Sequence, residues 1–113
     1  MSMDLEVWSI GEFDLPPQLP SADRWQQFDD EFAFDGGVWQ VLVLSEPSEP
    51  SSSVTQLLPG ATHVAYVTLE PIGAGPDGYD FLEKVVRTLA RESLGVWVDP
   101  NGSAYRHDEG NFG

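Results

Sequence analysis

Four carboxylates stand close together within the segment FDDEFAFD, residues 28–35. They are Asp29, Asp30, Glu31 and Asp35, and phenylalanines separate and flank them. Like charges at this density repel one another, and an isolated fold gains nothing from that repulsion. Carboxylates beside aromatic rings could form a docking surface, in which the charge steers a basic partner and the rings supply buried contact area. The alternative is a solvated turn whose phenylalanines belong to the core.

The same carboxylates, or the sequence DPNG at residues 99–102, could also be considered as calcium ligands. A calcium loop of the EF-hand type needs acidic ligands at alternating positions and a late bidentate glutamate. The DPNG segment supplies only a turn, with Pro100 at the second position that a β-turn favours. The sequence therefore predicts no metal site and no cofactor.

Residues suited to nucleophilic or acid–base catalysis are sparse. The chain has no cysteine, and neither His63 nor His107 has a serine or an acid at a recognised motif spacing. The glycines of residues 73–78 formally match the GxGxxG pattern of a phosphate-binding loop. However, Asp77 within that loop would repel phosphate, and no basic residue is near it. We therefore expect a protein that is not an enzyme.

Tryptophan is frequent in this chain, with four in 113 residues. Trp39 and Trp97 lie in strand-like segments and are expected in or beside the core. Trp25 follows a proline-rich stretch and adjoins Arg24, so we expect its ring to be exposed as an anchor, because tryptophan is enriched among interface hot spots. The predicted partner-binding residues are Asp29, Asp30, Glu31, Asp35 and Trp25.

Composition narrows the class of partner. Nineteen Asp and Glu oppose five Lys and Arg, giving a formal net charge of −14. This charge disfavours nucleic acid and anionic membrane as partners and favours a basic protein. No apolar run approaches the ~20 residues of a membrane span, and the N-terminus lacks the features of a secretory signal. We therefore expect a single acidic domain over residues 1–113, located in the cytoplasm.

Hydrophobic periodicity predicts the elements that would position these residues. Alternating or continuous apolar patterns predict strands at residues 4–10, 31–35, 38–44, 61–71, 95–99 and 103–106. An apolar stripe predicts a long helix over 78–94 with Gly95 as its stop, and a short helix is expected within 52–60. The remaining expectations are an irregular proline-rich arm at 11–23, a short helical turn within 21–28 and a frayed tail at 107–113.

This order of elements predicts an α+β sandwich. We expect one mostly antiparallel or mixed sheet, with one long and one short helix on one face, in a split βαβ arrangement related to ferredoxin-like folds. The apolar run of residues 38–44 predicts a strand that is covered on both faces.

The second half of the chain, residues 57–102, resembles a known protein family. Its features are Pro59-Gly60 before a strand, Leu69-Glu70 at the end of that strand, Leu89-Ala90 in a helix, and then Gly95-Val96-Trp97-Val98-Asp99-Pro100. They resemble the C-terminal half of immunity proteins from bacterial polymorphic-toxin systems of the Rhs or contact-dependent type. The resemblance implies a cytoplasmic protein that binds a cognate toxin domain and neutralises it by covering the active site or substrate groove.

Two other functions are compatible with the acidity. An acidic DNA mimic would inhibit a nuclease, but it requires regularly spaced acids, whereas eleven acids and one base lie in residues 1–56 and eight acids and four bases in residues 57–113. A non-catalytic adaptor subunit would also use its charge to bind a partner. The residues that carry the family resemblance are mostly scaffold, so the predicted binding residues rest on charge and aromatic content.

Overall fold

The computed structural model describes residues 3–71 and 73–112. Its elements in chain order are β1 (Met3–Ser9), β2 (Gln26–Phe28), β3 (Glu31–Asp35), β4 (Gln40–Pro47), α1 (Ser52–Leu57), β5 (His63–Glu70), α2 (Pro76–Glu92), β6 (Val96–Val98) and β7 (Ala104–Arg106). A single 3₁₀ turn, Ala22–Arg24, precedes β2. Within the described ranges, neither α-helix has both the length and the apolar character of a transmembrane segment.

The seven strands form one antiparallel sheet in the order β2-β3-β4-β5-β1-β6-β7. Strand β1 pairs antiparallel with β5 on one side and with β6 on the other. Strands β5 and β6 are therefore parallel to each other, and the connection through α2 carries the chain past β1, as in a split βαβ unit. The predicted α+β class, with one antiparallel sheet and one long and one short helix, is confirmed.

Helix α2 covers one face of this sheet. It contributes buried side chains spaced by three and four residues, namely Leu82, Val85, Val86, Leu89 and Ala90. They pack against alternate residues of the central strands, among them Leu5, Val7, Val43, Val67 and Leu69. Burying one aliphatic side chain of this size contributes about 1.5–3 kcal/mol, and this cluster is the larger of the two in the fold.

Helix α1 packs on the opposite face. Its buried Val54 belongs to a second apolar cluster that also contains Trp8, Val64, Val96 and Val98. Successive side chains of a strand alternate between faces, and these residues alternate with Val7 and Trp97 of the α2 layer. The sequence-based prediction placed both helices on one face. They lie on opposite faces because the apolar side chains at one end of the second face would be exposed to water without α1.

The segment before β3 differs from the predicted helical turn over residues 21–28. After the 3₁₀ turn the chain is extended, and β2 pairs with β3 around a two-residue connection of Asp29 and Asp30. Asp29 has a left-handed φ of 55°, a conformation that aspartate adopts more readily than most residues with a Cβ. The adjacent aspartates therefore build a hairpin turn.

Trp25 is a core residue, so the expectation that its ring is exposed is wrong. Only 8% of the residue is exposed. Its Nε1 donates a 2.8 Å hydrogen bond to the carbonyl of Pro20, and its ring centroid lies 5.5 Å from that of Phe34. The irregular arm at 11–23 brings buried Leu19 into the same cluster, which closes over the indole.

Residues 107–112 are held against the core by Arg87 of α2, and the expected frayed tail is wrong for them. The guanidinium donates hydrogen bonds of 2.9 Å to three main-chain carbonyls, those of His107, Glu109 and Gly110. The Trp97 indole donates to the Glu109 carbonyl at 3.1 Å, and the ring of Phe112 packs on Trp97. A planar guanidinium with five donors can satisfy several carbonyls at once, which a lysine cannot do in the same geometry.

Helix α2 ends in a Schellman motif. The amide of Gly95 donates to the carbonyl of Ala90 at 2.7 Å, and the amide of Leu94 donates to that of Arg91 at 3.2 Å. The left-handed residue is Leu94, with φ 56°, and not the predicted Gly95. Glycine is required at 95 for another reason, since a Cβ there would lie 2.0 Å from the carbonyl oxygen of Trp8.

We expect Leu94→Gly to raise the free energy of unfolding by about 0.5–1 kcal/mol. Glycine removes the left-handed strain of a residue with a Cβ, while the more flexible unfolded chain offsets part of that gain. Leu94 is 84% exposed, so little buried area is lost. Urea unfolding measures the effect, and Leu94→Ala, which keeps the Cβ, should show no gain. A destabilised Leu94→Gly protein would contradict the assignment of strain.

We expect Arg87→Ala to lower the free energy of unfolding by about 1–3 kcal/mol, because it removes the charge-assisted hydrogen bonds that hold residues 107–112 on the core. It also removes the 2.8 Å ion pair with Glu83. Limited proteolysis should then cleave within residues 107–112. Arg91→Ala, an exposed arginine on the same helix, is the matched control and should change neither readout. Equal effects of the two substitutions would argue against Arg87 as the residue that holds residues 107–112 on the core.

Candidate functional site

Part of the second sheet face is not covered by α1. Across β3, β4, β5 and the first half of β1 its side chains line a concavity of about 500 Å³. We call this surface the acidic face, and its lining residues are Asp4, Glu6, Glu31, Leu42, Leu44, Tyr66, Thr68 and Glu70. The apolar run 38–44 was expected to be covered on both faces. Instead Val41 and Val43 are buried under α2, while the side chains of β4 on the acidic face stay half-exposed.

The strand register arranges these side chains in rows. Glu31 pairs with Leu44, Leu44 with Tyr66, and Tyr66 with Glu6, so these four form one row across four strands. Neighbours in such a row are about 4.8 Å apart. A second row contains Leu42, Thr68 and Asp4. Carboxylates therefore border a floor of two leucines and one tyrosine.

Three of these carboxylates are held in place by neutral donors from neighbouring side chains. The pairs are Thr68 Oγ1 to Asp4 Oδ1 at 2.7 Å, Trp8 Nε1 to Glu6 Oε1 at 2.8 Å, and Gln40 Nε2 to Glu70 Oε2 at 3.1 Å. A neutral donor fixes the position of a carboxylate without cancelling its charge. Each carboxylate keeps further lone pairs for a partner.

No lysine or arginine balances this charge. The five cationic side chains all belong to described residues, and none lines the acidic face. Arg24 lies over the ring of Phe34 on the α2 side, and three others are on α2. The fifth, Arg106, is on β7 within 3.8 Å of Glu109. No lysine or arginine therefore neutralises the acidic face, and its potential weakens as salt is added.

Tyr66 occupies the centre of the acidic face. Burial raises the pKa of its phenol above the usual value of about 10. The negative charges of Glu46 and Glu6, and a hydrogen bond to Glu46, raise the pKa in the same direction. The phenol is therefore neutral at physiological pH, and Glu46 joins the carboxylates around this floor.

A shallower depression adjoins the acidic face at Glu70, which lines both. It includes Val38, which is 83% exposed in the turn between β3 and β4, and half-exposed Trp39. Asp35 also lines it, and its carboxylate accepts a hydrogen bond of 2.8 Å from the amide of Gly37. This carboxylate therefore has a structural role in the hairpin as well as an exposed position.

The structure separates the five predicted binding residues. Glu31 lines the acidic face. Asp35 points to the same side of the sheet but lies at the other end of β3, beside the turn to β4. Asp29 and Asp30 are exposed in the turn at the edge of that half of the sheet. Trp25 lies in the core on the α2 side, away from the other four.

The predicted binding residues do not include the carboxylates that come from other strands, namely Asp4, Glu6, Glu46 and Glu70. A signal was present, because the alternation of β1 places Glu6 opposite to Leu5 and Val7, and the alternation of β5 aligns Tyr66 with Glu70. The pairing that brings β1 beside β5 cannot be derived from periodicity alone.

The spacing of the acids suits several cationic side chains of one macromolecule. Asp4 and Glu6, two residues apart on one strand, are separated by about 6.8 Å, and Glu31 and Glu6, three strands apart, by about 14 Å. Within the described part of the chain, no group of three or more His, Asp or Glu is arranged to hold a metal ion. The Nδ1 atom of His63 lies 2.8 Å from the hydroxyl oxygen of Thr62.

We expect Glu46→Gln to lower the pKa of Tyr66 toward its ordinary value, with burial keeping the remainder of the shift. Because folding raises this pKa, the unfolded chain releases its proton first as the pH rises above about 10. The contribution of Tyr66 to stability is therefore complete below that pH and is lost as the pH rises through the folded-state pKa. Phenolate absorbance during alkaline titration measures the shift, with Tyr66→Phe as the reference that identifies this tyrosine. An unchanged titration in Glu46→Gln would show that Glu46 does not act on the phenol.

Comparisons of the chain with protein-family models, with curated proteins and with solved structures find no match. The resemblance to immunity proteins therefore rests on the residues quoted for it and stays a prediction.

Proposed function

We propose that this protein is a bacterial immunity protein that binds a cognate toxin domain in the cytoplasm and neutralises it by covering its active site or substrate groove. The observation that carries the proposal is the acidic face, an uncovered sheet surface that is lined by no lysine or arginine and on which neutral donors hold three of the four lining carboxylates. The resemblance of residues 57–102 to immunity proteins supports the same function.

Charge complementarity indicates the kind of toxin. Enzymes that act on nucleic acids or nucleotides bind phosphate through basic grooves. A surface that presents fixed carboxylates matches such a groove and increases the rate of encounter. Because the donors already hold these side chains in place, less conformational entropy is lost on binding. Occupying the groove is sufficient for inhibition, so the inhibitor needs no chemistry of its own.

The floor of the acidic face favours this function over DNA mimicry. Leu42 and Leu44 lie between the carboxylates, and a phosphate backbone has no counterpart to such an apolar floor. Apolar contact area at the centre of a charged surface is typical of an interface that is specific for one protein. A mimic of DNA would instead present charge without a hydrophobic centre.

The proposal is tested by co-expressing the protein with the C-terminal domain of the large protein encoded immediately upstream of its gene. We expect that domain alone to arrest growth, and co-expression to restore growth and yield a stable complex. Growth arrest that persists, or a domain that is neither toxic nor bound, would overturn the proposal. Two results together would instead support the DNA mimic. The protein would bind many basic nucleases, and duplex DNA would compete with it for them.

We expect Asp4→Asn, Glu6→Gln and Glu70→Gln together to slow association with the toxin domain by roughly tenfold or more at low salt. The amides keep the acceptor oxygens that bind Thr68, Trp8 and Gln40, so the fold should be unaffected. The matched control is Asp77→Asn, Asp80→Asn and Glu92→Gln, which removes the same charge from α2. Stopped-flow association kinetics compare the two, and the difference should vanish near 0.5 M NaCl, where the Debye length is only about 4 Å. Equal slowing by both triple variants would show that net charge, and not the acidic face, steers the partner.

A further inference from the structure

Phe28 is the exposed aromatic residue of this protein. Its exposed fraction is 58%, whereas every other Trp, Tyr and Phe of the chain is buried or half-buried. All the aromatic residues belong to the described ranges. The fold covers each of its other aromatic side chains more fully than this one.

The position of Phe28 places this ring on the acidic face. It ends β2 and pairs directly with Glu31 of β3, and paired residues of adjacent strands point to the same side of the sheet. Phe28 therefore extends the row of Glu31, Leu44, Tyr66 and Glu6 by one strand. The row then spans about 19 Å, with the phenyl ring at one end and Glu6 at the other.

Packing within the chain does not account for a phenylalanine here. All three residues of β2 are exposed, and its other two are glutamines. Phe28 belongs to neither apolar cluster and stacks on no other ring among the described residues. Its neighbours beyond the strand are Asp29 and Asp30, so the ring is bordered by carboxylates. An exposed ring surrounded by charge is typical of an interface anchor.

We propose that Phe28 is the apolar anchor of the interface made by the acidic face, and that the toxin domain carries an apolar pocket bordered by lysine or arginine. This inference rests on the proposed function. A cation facing Glu31 would lie about 5 Å from that pocket, and a cation facing Glu6 about 19 Å from it. The carboxylates govern the rate of approach, and the buried ring governs how long the complex lasts.

The test measures association and dissociation rates of the full-length protein with the toxin domain by surface plasmon resonance. We expect Phe28→Ala to raise the dissociation rate by about 30-fold or more, as for a hot-spot residue, while the association rate changes less than about threefold. Because the lost contact is apolar, the ratio of dissociation rates should be the same at about 0.05 M and about 0.5 M NaCl. Ile10→Ala is the matched control, since Ile10 is 56% exposed but follows the far end of β1.

The possible outcomes separate this inference from the proposed function. Tight binding by the wild type with an unchanged dissociation rate in Phe28→Ala would overturn the anchor and leave the immunity function standing. Absence of a wild-type complex would overturn both. Equal effects of Phe28→Ala and Ile10→Ala would also overturn the anchor. An unchanged melting temperature of Phe28→Ala confirms that the substitution acts on binding and not on the fold.

Discussion

The pairing of β1 with both β5 and β6 is the constraint on which the rest of the structure depends. Placing the N-terminal strand between two later strands makes the α2 connection a crossover, and this sets α2 against the central strands. The same strand has two chemically different sides. Leu5 and Val7 enter the core beneath α2, while Asp4 and Glu6 point to the acidic face. A shift of one residue in this register would bury the acids and expose the core side chains.

The carboxylates of the acidic face repel one another, and this repulsion lowers the free energy of unfolding. Two carboxylates about 7 Å apart at a solvated surface repel each other by about 0.6 kcal/mol before screening by salt. A handful of such pairs amounts to a few kcal/mol, and the burial of apolar side chains beneath α2 acts in the opposite direction. Neutral donors such as Thr68 and Gln40 hold the carboxylates without reducing that repulsion. Cationic donors at these positions would have removed it, and no lysine or arginine lines this surface.

Periodicity was sufficient to predict the class of the fold, because strands and the long helix each bury a regular set of apolar residues. The stripe from Leu82 to Ala90 and the alternation of β5 are signals of this kind. Periodicity does not predict how the elements pack against one another. The sequence of α1 does not state which face it covers, since that depends on the apolar end formed by Trp8 and Val64. β2 was missed because three polar-flanked residues carry no pattern, and the pairing with β3 alone makes them a strand.

The predicted acidic cluster and the observed acidic face overlap at Glu31 for a physical reason. Local charge density can be read from adjacent residues, but a surface is assembled across strands that lie far apart in the chain. Glu31 belongs to both because it starts β3 beside the turn that the aspartates form.

Trp25 and Phe28 lie near the same hairpin, yet Trp25 is buried and Phe28 is exposed. Trp25 follows the proline-rich arm, and that arm folds back and supplies both the carbonyl of Pro20 and the side chain of Leu19 to cover the indole. Phe28 is three residues further on, beyond the reach of the arm, on a strand whose one neighbour in the sheet is β3. Strand alternation turns it to the side opposite to α2, and it stays 58% exposed. Aromatic content alone therefore does not predict which ring stays exposed, because the packing of the arm decides it.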